Sequence, residues 1–183
     1  MAKIWFTSDW HFGHDREFVW EVRGFDSIEE MNEAIIERHN SVVAPEDDVY
    51  VLGDLMLGDN NVGIECIKRL NGRLHIILGN HDTKTREQLY RELPNAEVLG
   101  YAAVVKIGKR SFYLSHYPTL TANFDDPHPT INLYGHTHQI SKFYEDRPWM
   151  FHVGMDSHNC YPIEIETIRT LIKEKIDECV SFL

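Results

Sequence analysis

Five short clusters of Asp, Asn and His each follow directly on an apolar, β-prone run, and this arrangement limits the possible fold more than any other feature. In order along the chain, the clusters read SDWHFGH (8–14), GD (53–54), GNHD (79–82), SH (115–116) and GHTH (135–138). In open α/β sheets, ligands bind beyond the carboxyl ends of the strands. A fold that brings these five strand ends to one edge would collect the polar side chains into a single site.

The order of the elements changes near Pro94. Before it, strands and helices alternate, with strands predicted at 3–8, 47–54 and 73–82 and helices at 25–43, 61–70 and 83–93. After it, strands are predicted at 97–100, 102–108, 110–116, 130–136 and 149–154, and a helix at 162–180. There is no internal repeat or linker, so the pattern indicates one α/β domain over residues 1–183, built on two packed sheets.

The first long helix has both a start signal and an apolar stripe. Ser27 with Glu30 forms a capping box. The stripe is predicted from Ile28, Met31, Ile35 and Val42. In the C-terminal helix, one face is predicted from Ile165, Ile168, Leu171, Ile172 and Ile176.

Composition and charge exclude several classes of protein. The formal net charge of −11 argues against a protein that wraps long nucleic acid, since such proteins neutralise phosphates with a basic face. A small phosphate-bearing substrate stays open, because a metal site can reverse the local field. No apolar run reaches the length of a membrane span, and the N-terminus turns polar at residue 7, too early for a signal-peptide core. Three cysteines without metal-type spacing indicate reduced thiols, so we expect a cytoplasmic protein with no membrane partner.

The clusters supply nitrogen and oxygen donors of the kind that bind metals. Seven are singled out: Asp9, His11, Asp54, Asn80, His116, His136 and His138. A catalytic zinc keeps about three protein ligands, so seven donors suit two ions that share a bridging carboxylate. Imidazole and carboxylate donors without thiolates fit Mn, Fe, Zn, Co or Ni. In an extended segment, residues i and i+2 face the same side, so His136 and His138 are expected to point at one cluster.

The ordered motifs resemble those of the calcineurin-like metallophosphoesterase superfamily, in particular its small bacterial and phage members. The resemblance covers residues 9 to 138, and GMD at 154–156 is also similar. It implies a four-layer αββα sandwich of two mixed β-sheets flanked by helices. It also implies two divalent metal ions, with Mn as the first candidate and Fe, Zn, Ni or Co as alternatives.

The resemblance further implies a role for each residue of the site. Asp54 would bridge two ions, and His81 would contact the phosphate and act as general acid, while a water activated between the ions attacks phosphorus. The remaining ligands would divide into Asp9, His11 and His138 for one ion and Asn80, His116 and His136 for the other. The expected activity is hydrolysis of phosphodiester, or else phosphomonoester, bonds in a small substrate such as a nucleotide. The alternative is a non-catalytic metal- or phosphate-binding module on the same fold, but the presence of every ligand and of His81 favours an enzyme.

The chain departs from the large protein-phosphatase branch after Asp54. That branch continues with a further Asp and an Arg-Gly pair, whereas this chain reads GDLMLGDNN at 53–61. A phosphoprotein phosphatase is therefore disfavoured. The carboxylate partner of His81 is left open between Asp82 and Asp59.

Three further histidines and one loop are also assigned from the sequence. His14 is expected either beside the substrate or as a cap of the following helix. His39 and His75 are expected to be structural histidines. The loop at 117–130, in which a solvated His128 is expected, is the predicted cover of the site.

Overall fold

The computed structural model describes residues 2–121 and 129–181, with side chains through Cys179. Residues 122–128 of the predicted cover loop, including His128, lie outside the described residues. The strands are β1 (Ile4–Thr7), β2 (Asp48–Leu52), β3 (Arg73–Ile77), β4 (Ala96–Gly100), β5 (Ala102–Ile107), β6 (Arg110–Ser115), β7 (Ile131–Tyr134), β8 (Met150–His152) and β9 (Ile163–Glu164). The α-helices are α1 (Glu17–Trp20), α2 (Ile28–Val42), α3 (Asn60–Lys68), α4 (Lys84–Arg91) and α5 (Ile165–Ser181).

The strands form two mixed β-sheets. The first sheet has the order β4-β3-β2-β1-β9, in which β1 to β4 are parallel and β9 runs antiparallel to β1. The second has the order β5-β6-β7-β8, in which β5 and β6 are antiparallel and the other pairs are parallel. The α/β architecture of two mixed β-sheets flanked by helices, which the resemblance implies, is confirmed.

Alternation along β1 separates two hydrophobic clusters. Trp5 faces the first cluster, which contains the inner sides of α2, α3 and α4, whereas Phe6 faces the second. The second cluster lies between the sheets, with Phe112, Leu133 and Phe151 from the second sheet and the apolar face of α5. Because both sheets are fixed on this shared cluster, their parallel strands deliver their carboxyl ends to the same region.

Three details differ from the sequence-based expectations. Val42 is exposed at the last turn of α2, although the capping hydrogen bond from Glu30 N to Ser27 Oγ is present at 3.1 Å. The predicted helix at 162–180 begins later, because Ile163 first pairs with Phe6 as part of β9. The bounds of the short helix α1, which follows His14, were not predicted, since four residues give no periodicity to read.

In residues 2–121 and 129–181, no helix combines the length and the apolar character that crossing a membrane requires.

Candidate functional site

The predicted ligands converge where strands of both sheets end. Asp9, His11, Asp54 and His116 are buried, whereas the other three lie nearer the surface: Asn80, His136 and His138. An isolated parallel bridge between Ser8 and Gly154 joins the two sheets at this edge. The backbone N–H groups of Asp9 and His11 donate to the carbonyls of Gly53 (3.0 Å) and Asp54 (3.1 Å), which ties the first two clusters together.

The first half of the site consists of Asp9, His11 and His138. The Nε2 atoms of the two histidines face each other at 3.2 Å. Asp9 Oδ1 lies 4.0 Å from His11 Nε2 and 3.9 Å from His138 Nε2. Two imidazole nitrogens and a buried carboxylate oxygen are therefore directed at one small volume.

The second half consists of Asp54, Asn80, His116 and His136. His116 Nε2 lies 3.4 Å from Asp54 Oδ2 and 2.9 Å from Asn80 Oδ1. Its other ring nitrogen, Nδ1, lies 2.8 Å from the carbonyl oxygen of Leu52, which fixes the ring. The His136 ring packs edge-on against that of His116, with centroids 5.0 Å apart.

The two carboxylates have opposite electrostatic surroundings. Burial raises the pKa of Asp9 above its ordinary value. Burial also acts to raise the pKa of Asp54, but the hydrogen bond and charge of His116 outweigh it and lower that pKa to about 2. Burial lowers the pKa of His11 well below its usual value, whereas Asp54 and Asp9 overcome burial at His116 and raise its pKa to about 9. The site is thus a dense cluster of charged side chains, and the opposite charges within it do not cancel completely.

The backbone at the site adopts left-handed conformations. The φ angles are 60° at Asp9, 52° at His11, 55° at Asp54, 68° at His136 and 48° at His138. Such values are uncommon outside glycine and cost free energy, and they cluster at functional sites. They also correct the expectation that His136 and His138 lie in an extended segment. β7 ends at Tyr134, and the two rings diverge into different halves of the site.

Two motif glycines are required by close approach of the carboxylates. A Cβ on Gly79 would collide with the carboxylate of Asp54, and one on Gly135 would collide with that of Asp9. The glycines that precede Asn80 and His136 therefore leave room for the carboxylates.

The donor set fits divalent metal ions. Two groups have ligand atoms that all lie within 4.8 Å of one another, namely Asp9 with His11 and His138, and Asp9 with Asp54 and His116. Nitrogen and carboxylate oxygen donors without sulfur are typical of Mn, Fe, Zn, Co and Ni sites. These residues are candidate metal ligands, and Asn80 and His136 extend the second group.

The two proposed carboxylate partners of His81 are engaged elsewhere. Asp82 lies behind Asp54, where it accepts hydrogen bonds from the backbone N–H groups of Asp54 and Gly79, both at 2.8 Å, and from Tyr90 Oη at 2.7 Å. Asp59 caps α3. The Asp54 carboxylate is closer to the catalytic candidate, with Oδ2 3.9 Å from His81 Nε2 and Oδ1 accepting from its backbone N–H at 2.9 Å.

Arg23 and Asp156 complete the first half and were not identified from the sequence. Asp156 Oδ2 lies 2.9 Å from His138 Nδ1, and Arg23 donates to both Asp156 oxygens at 3.0 and 3.1 Å. Arg23 also donates to the carbonyls of Asp9 (2.8 Å) and Trp10 (3.2 Å). The GMD motif contains Asp156, so it offered a signal, whereas no local pattern distinguishes Arg23.

His81 and His14 line a cavity of about 300 Å³ at the mouth of the site, together with His11 and His138. His81 is half-buried, and its ring centroid is 5.6 Å from that of His11. His14 therefore lies beside the space that a substrate would enter, as one of the two sequence-based interpretations expects. Arg16, and not His14, occupies the N-cap of α1.

The histidines expected to be structural lie outside this cluster. The buried His39 ring donates from Nε2 to the carbonyl oxygen of Asn71 at 2.9 Å. His75 Nε2 lies 2.9 Å from Asp48, and its Nδ1 contacts Glu97. Both rings have protein partners that account for their presence.

Comparisons with known proteins give a consistent result. Residues 2–163 match the sequence profile of the calcineurin-like phosphoesterase superfamily domain. An uncharacterized protein of Methanocaldococcus jannaschii is 31% identical over 184 residues, which cover 95% of this chain and 93% of that protein. The Gene 66 protein of Mycobacterium phage L5 is 30% identical over 186 residues, covering 86% of this chain and 88% of that protein.

A protein of unknown function from Aquifex aeolicus shares the fold, with a TM-score of 0.70 at 21% identity over 93% of this chain and 100% of that one. The profile match covers most of the chain, including every strand that carries a predicted ligand. The chain therefore belongs to the calcineurin-like phosphoesterase superfamily of hydrolases, and it carries candidate ligands for divalent metal ions.

Proposed function

We propose that the protein hydrolyses phosphodiester bonds with two divalent metal ions, of which manganese is the first candidate, and with His81 as general acid. The single observation that carries this proposal is the position of Asp54. Its Oδ2 atom lies 3.9 Å from His11 Nε2 in the first half, 3.4 Å from His116 Nε2 in the second half and 3.9 Å from His81 Nε2. One carboxylate thus faces both ligand sets and the proposed acid, as a bridging ligand must.

When bound, two divalent ions would lower the pKa of water and neutralise charge on the phosphoryl oxygens. The protein's own residues supply position and the proton. Asp54 accepts hydrogen bonds from the backbone N–H groups of His11, at its carbonyl, and of His81, at its carboxylate. These bonds would hold the two halves of the site in a fixed relative position. His81, whose Nε2 lies 3.9 Å from Asp54 Oδ2, would deliver a proton to the leaving oxygen.

Several features support a small phosphate ester as substrate. The cavity beside His81, at about 300 Å³, is at the lower end of the range for small-molecule sites. The net charge of −11 does not suit long nucleic acid. An accessible site suits a diester or nucleotide better than one dedicated monoester. Free thiols at Cys66, Cys160 and Cys179 fit a reducing compartment, and on that basis we place the single domain in the cytoplasm.

The test is the leaving-group dependence of a His81→Ala variant. General acid catalysis contributes about a hundred- to ten-thousandfold, so hydrolysis of alkyl diesters should slow by that factor. Hydrolysis of a bis-nitrophenyl diester should slow much less, because nitrophenolate departs without a proton. Elemental analysis should find both metals retained. His75→Ala, which removes a histidine bonded to Asp48 and Glu97, is the matched control and should leave both rates unchanged.

Each contrary result has a defined meaning. Equal slowing of both substrate types with metals retained would make His81 a phosphate-binding group. Loss of metal would make it a ligand. Absence of turnover by the unmodified protein with any divalent ion would favour the non-catalytic binding module.

A further inference from the structure

We propose that the cavity beside His81 is a leaving-group site that takes an uncharged group carrying an aromatic ring, such as an aryl alcohol or a nucleoside. Its apolar wall is formed by Phe18, Val19 and Val22, from α1 and the residues that follow it. This inference rests on the proposed function, because it names the part of the substrate that His81 would protonate.

The apolar wall lies in the same cavity as His81, the proposed general acid. The cavity of about 300 Å³ is lined both by His11, His81 and His138 and by the apolar wall. The oxygen that receives a proton from His81 must lie within hydrogen-bond reach of its ring. The group attached to that oxygen therefore extends into the same cavity, towards Phe18 and Val22.

A series of aromatic rings leads from the metal ligands to the wall. Ring centroids are 5.6 Å apart between His81 and His11, 5.7 Å between His11 and His14, and 5.7 Å between His14 and Phe18. Aromatic rings pair favourably at such separations in edge-to-face or offset geometry. A ring on the substrate would find partners of this kind along the whole cavity.

Phe18 and Val22 are held in exposed positions by the residues next to them in the chain. Phe18 is 70% and Val22 is 79% exposed, yet Val19 and Trp20 between them pack against the first hydrophobic cluster. Arg23, which follows Val22, is fixed by its bonds to Asp156. The backbone is thus anchored while two large apolar side chains are presented at the mouth. Exposed apolar groups concentrated beside a functional cavity are typical of a binding surface.

Charge selects against a second phosphate in this cavity. Among the described residues that line the cavity, Arg23 is the one Lys or Arg, and both Asp156 oxygens already accept from it. An additional anionic group would therefore meet Asp156 and apolar side chains, and Arg23 would not be free to pair with it. An uncharged ring matches the lining, whereas a polyphosphate does not.

The experiment measures binding of two non-hydrolysable ligands, phenylphosphonate and methylphosphonate, to the manganese-loaded protein by calorimetry. Burying one face of a phenyl ring on an apolar wall should make phenylphosphonate bind about tenfold more tightly. The preference should fall to about twofold or less in Phe18→Ala and to an intermediate value in Val22→Ala. Val104→Ala, which removes an equally exposed apolar side chain on β5, is the matched control and should keep the full preference.

The outcomes separate this inference from the proposed function. A preference that depends on Phe18 supports the leaving-group site even if the protein shows no hydrolysis, in which case only the proposed function fails. Hydrolysis that depends on His81, with no ring preference or with one that survives Phe18→Ala, overturns the leaving-group site and leaves the proposed function intact. Binding of neither phosphonate also overturns the site.

Discussion

The two halves of the site contain similar candidate ligands, but these are supported in different ways. In the first half, His138 is oriented by Asp156, and Asp156 by Arg23, which also holds the carbonyl of Asp9. In the second half, His116 is oriented by the backbone carbonyl of Leu52. The histidine of the first half is therefore oriented by charged side chains, whereas that of the second half is oriented by the sheet itself.

This difference predicts how each half responds to substitution. Partners that orient a metal ligand typically change metal affinity by about ten- to a hundredfold when they are removed. A side chain such as Asp156 can be removed by one substitution, but the Leu52 carbonyl cannot. The first half should be open to selective weakening, and the second half should resist it.

The largest effect is expected at Asp54, which lies in the second half and also faces His11 of the first. Asp54→Ala should remove most bound metal from both halves and lower activity by far more than a hundredfold, beyond the usual effect of an orienting partner. Asp59→Ala is the matched control, because Asp59 caps α3 and should cost about 1 kcal/mol of stability without loss of metal. Retention of two metals by Asp54→Ala in elemental analysis would exclude the bridging role.

The next largest effect is expected at Asp156, which supports the first half of the site and not the second. Asp156→Asn should weaken one of two manganese-binding steps by about ten- to a hundredfold and leave the other unchanged in a calorimetric titration of metal-free protein. Asp48→Asn is a close control, since His75, Asp48 and Arg73 form the same His–Asp–Arg arrangement away from the site. Equal weakening of both steps would show that the halves are not independently supported.

The sequence predicted which polar residues come together better than it predicted what supports them. Each motif follows a strand, so its position at the sheet edge could be read from the chain alone, and the glycines at 79 and 135 are explained by the carboxylates they approach. Arg23 lies in the stretch EVRGFDS (21–27), where neither periodicity nor a motif marks it. Its role arises only when tertiary packing brings Asp156 beside it, 133 positions further along the chain.

The backbone conformation of His136 and His138 could not be predicted from the local sequence either. An extended backbone was the reasonable expectation for GHTH after a strand, but His136 and His138 both have positive φ. The backbone N–H of His136 donates to the Asp9 carboxylate at 2.9 Å, so a distant residue stabilises this turn. Asp82 was one of two candidate partners of His81, whereas its oxygens accept from the backbone around Asp54 and from Tyr90.

A smaller effect concerns His39, a histidine outside both halves. Burial lowers the pKa of His39 to about 4, so between pH 6.5 and 4 the unfolded chain binds more protons at this residue than the folded chain does. Its contribution to stability is present above pH 6.5 and is lost as the pH falls towards 4, by up to roughly 3 kcal/mol.

Urea unfolding with a metal chelator present should therefore show a flatter pH dependence for His39→Gln than for the unmodified protein. His152 and His158, whose pKa values burial also lowers, are present in both proteins and cancel in the difference. Parallel stability curves between pH 7 and 4.5 would contradict the buried, neutral state of His39.

The smallest effect is expected at Tyr90, and it tests the support of the second half directly. Tyr90 Oη donates to Asp82 Oδ1 at 2.7 Å, but Asp82 also accepts from the backbone N–H groups of Asp54 and Gly79. Tyr90→Phe should therefore lower the free energy of unfolding by about 1–2 kcal/mol, the cost of one buried hydrogen bond to a charged group. Manganese affinity should change less than twofold in both binding steps, in contrast to Asp156→Asn. If Tyr90→Phe weakened one step by tenfold or more, the second half would depend on a side-chain partner as strongly as the first, and the distinction between the halves would fail.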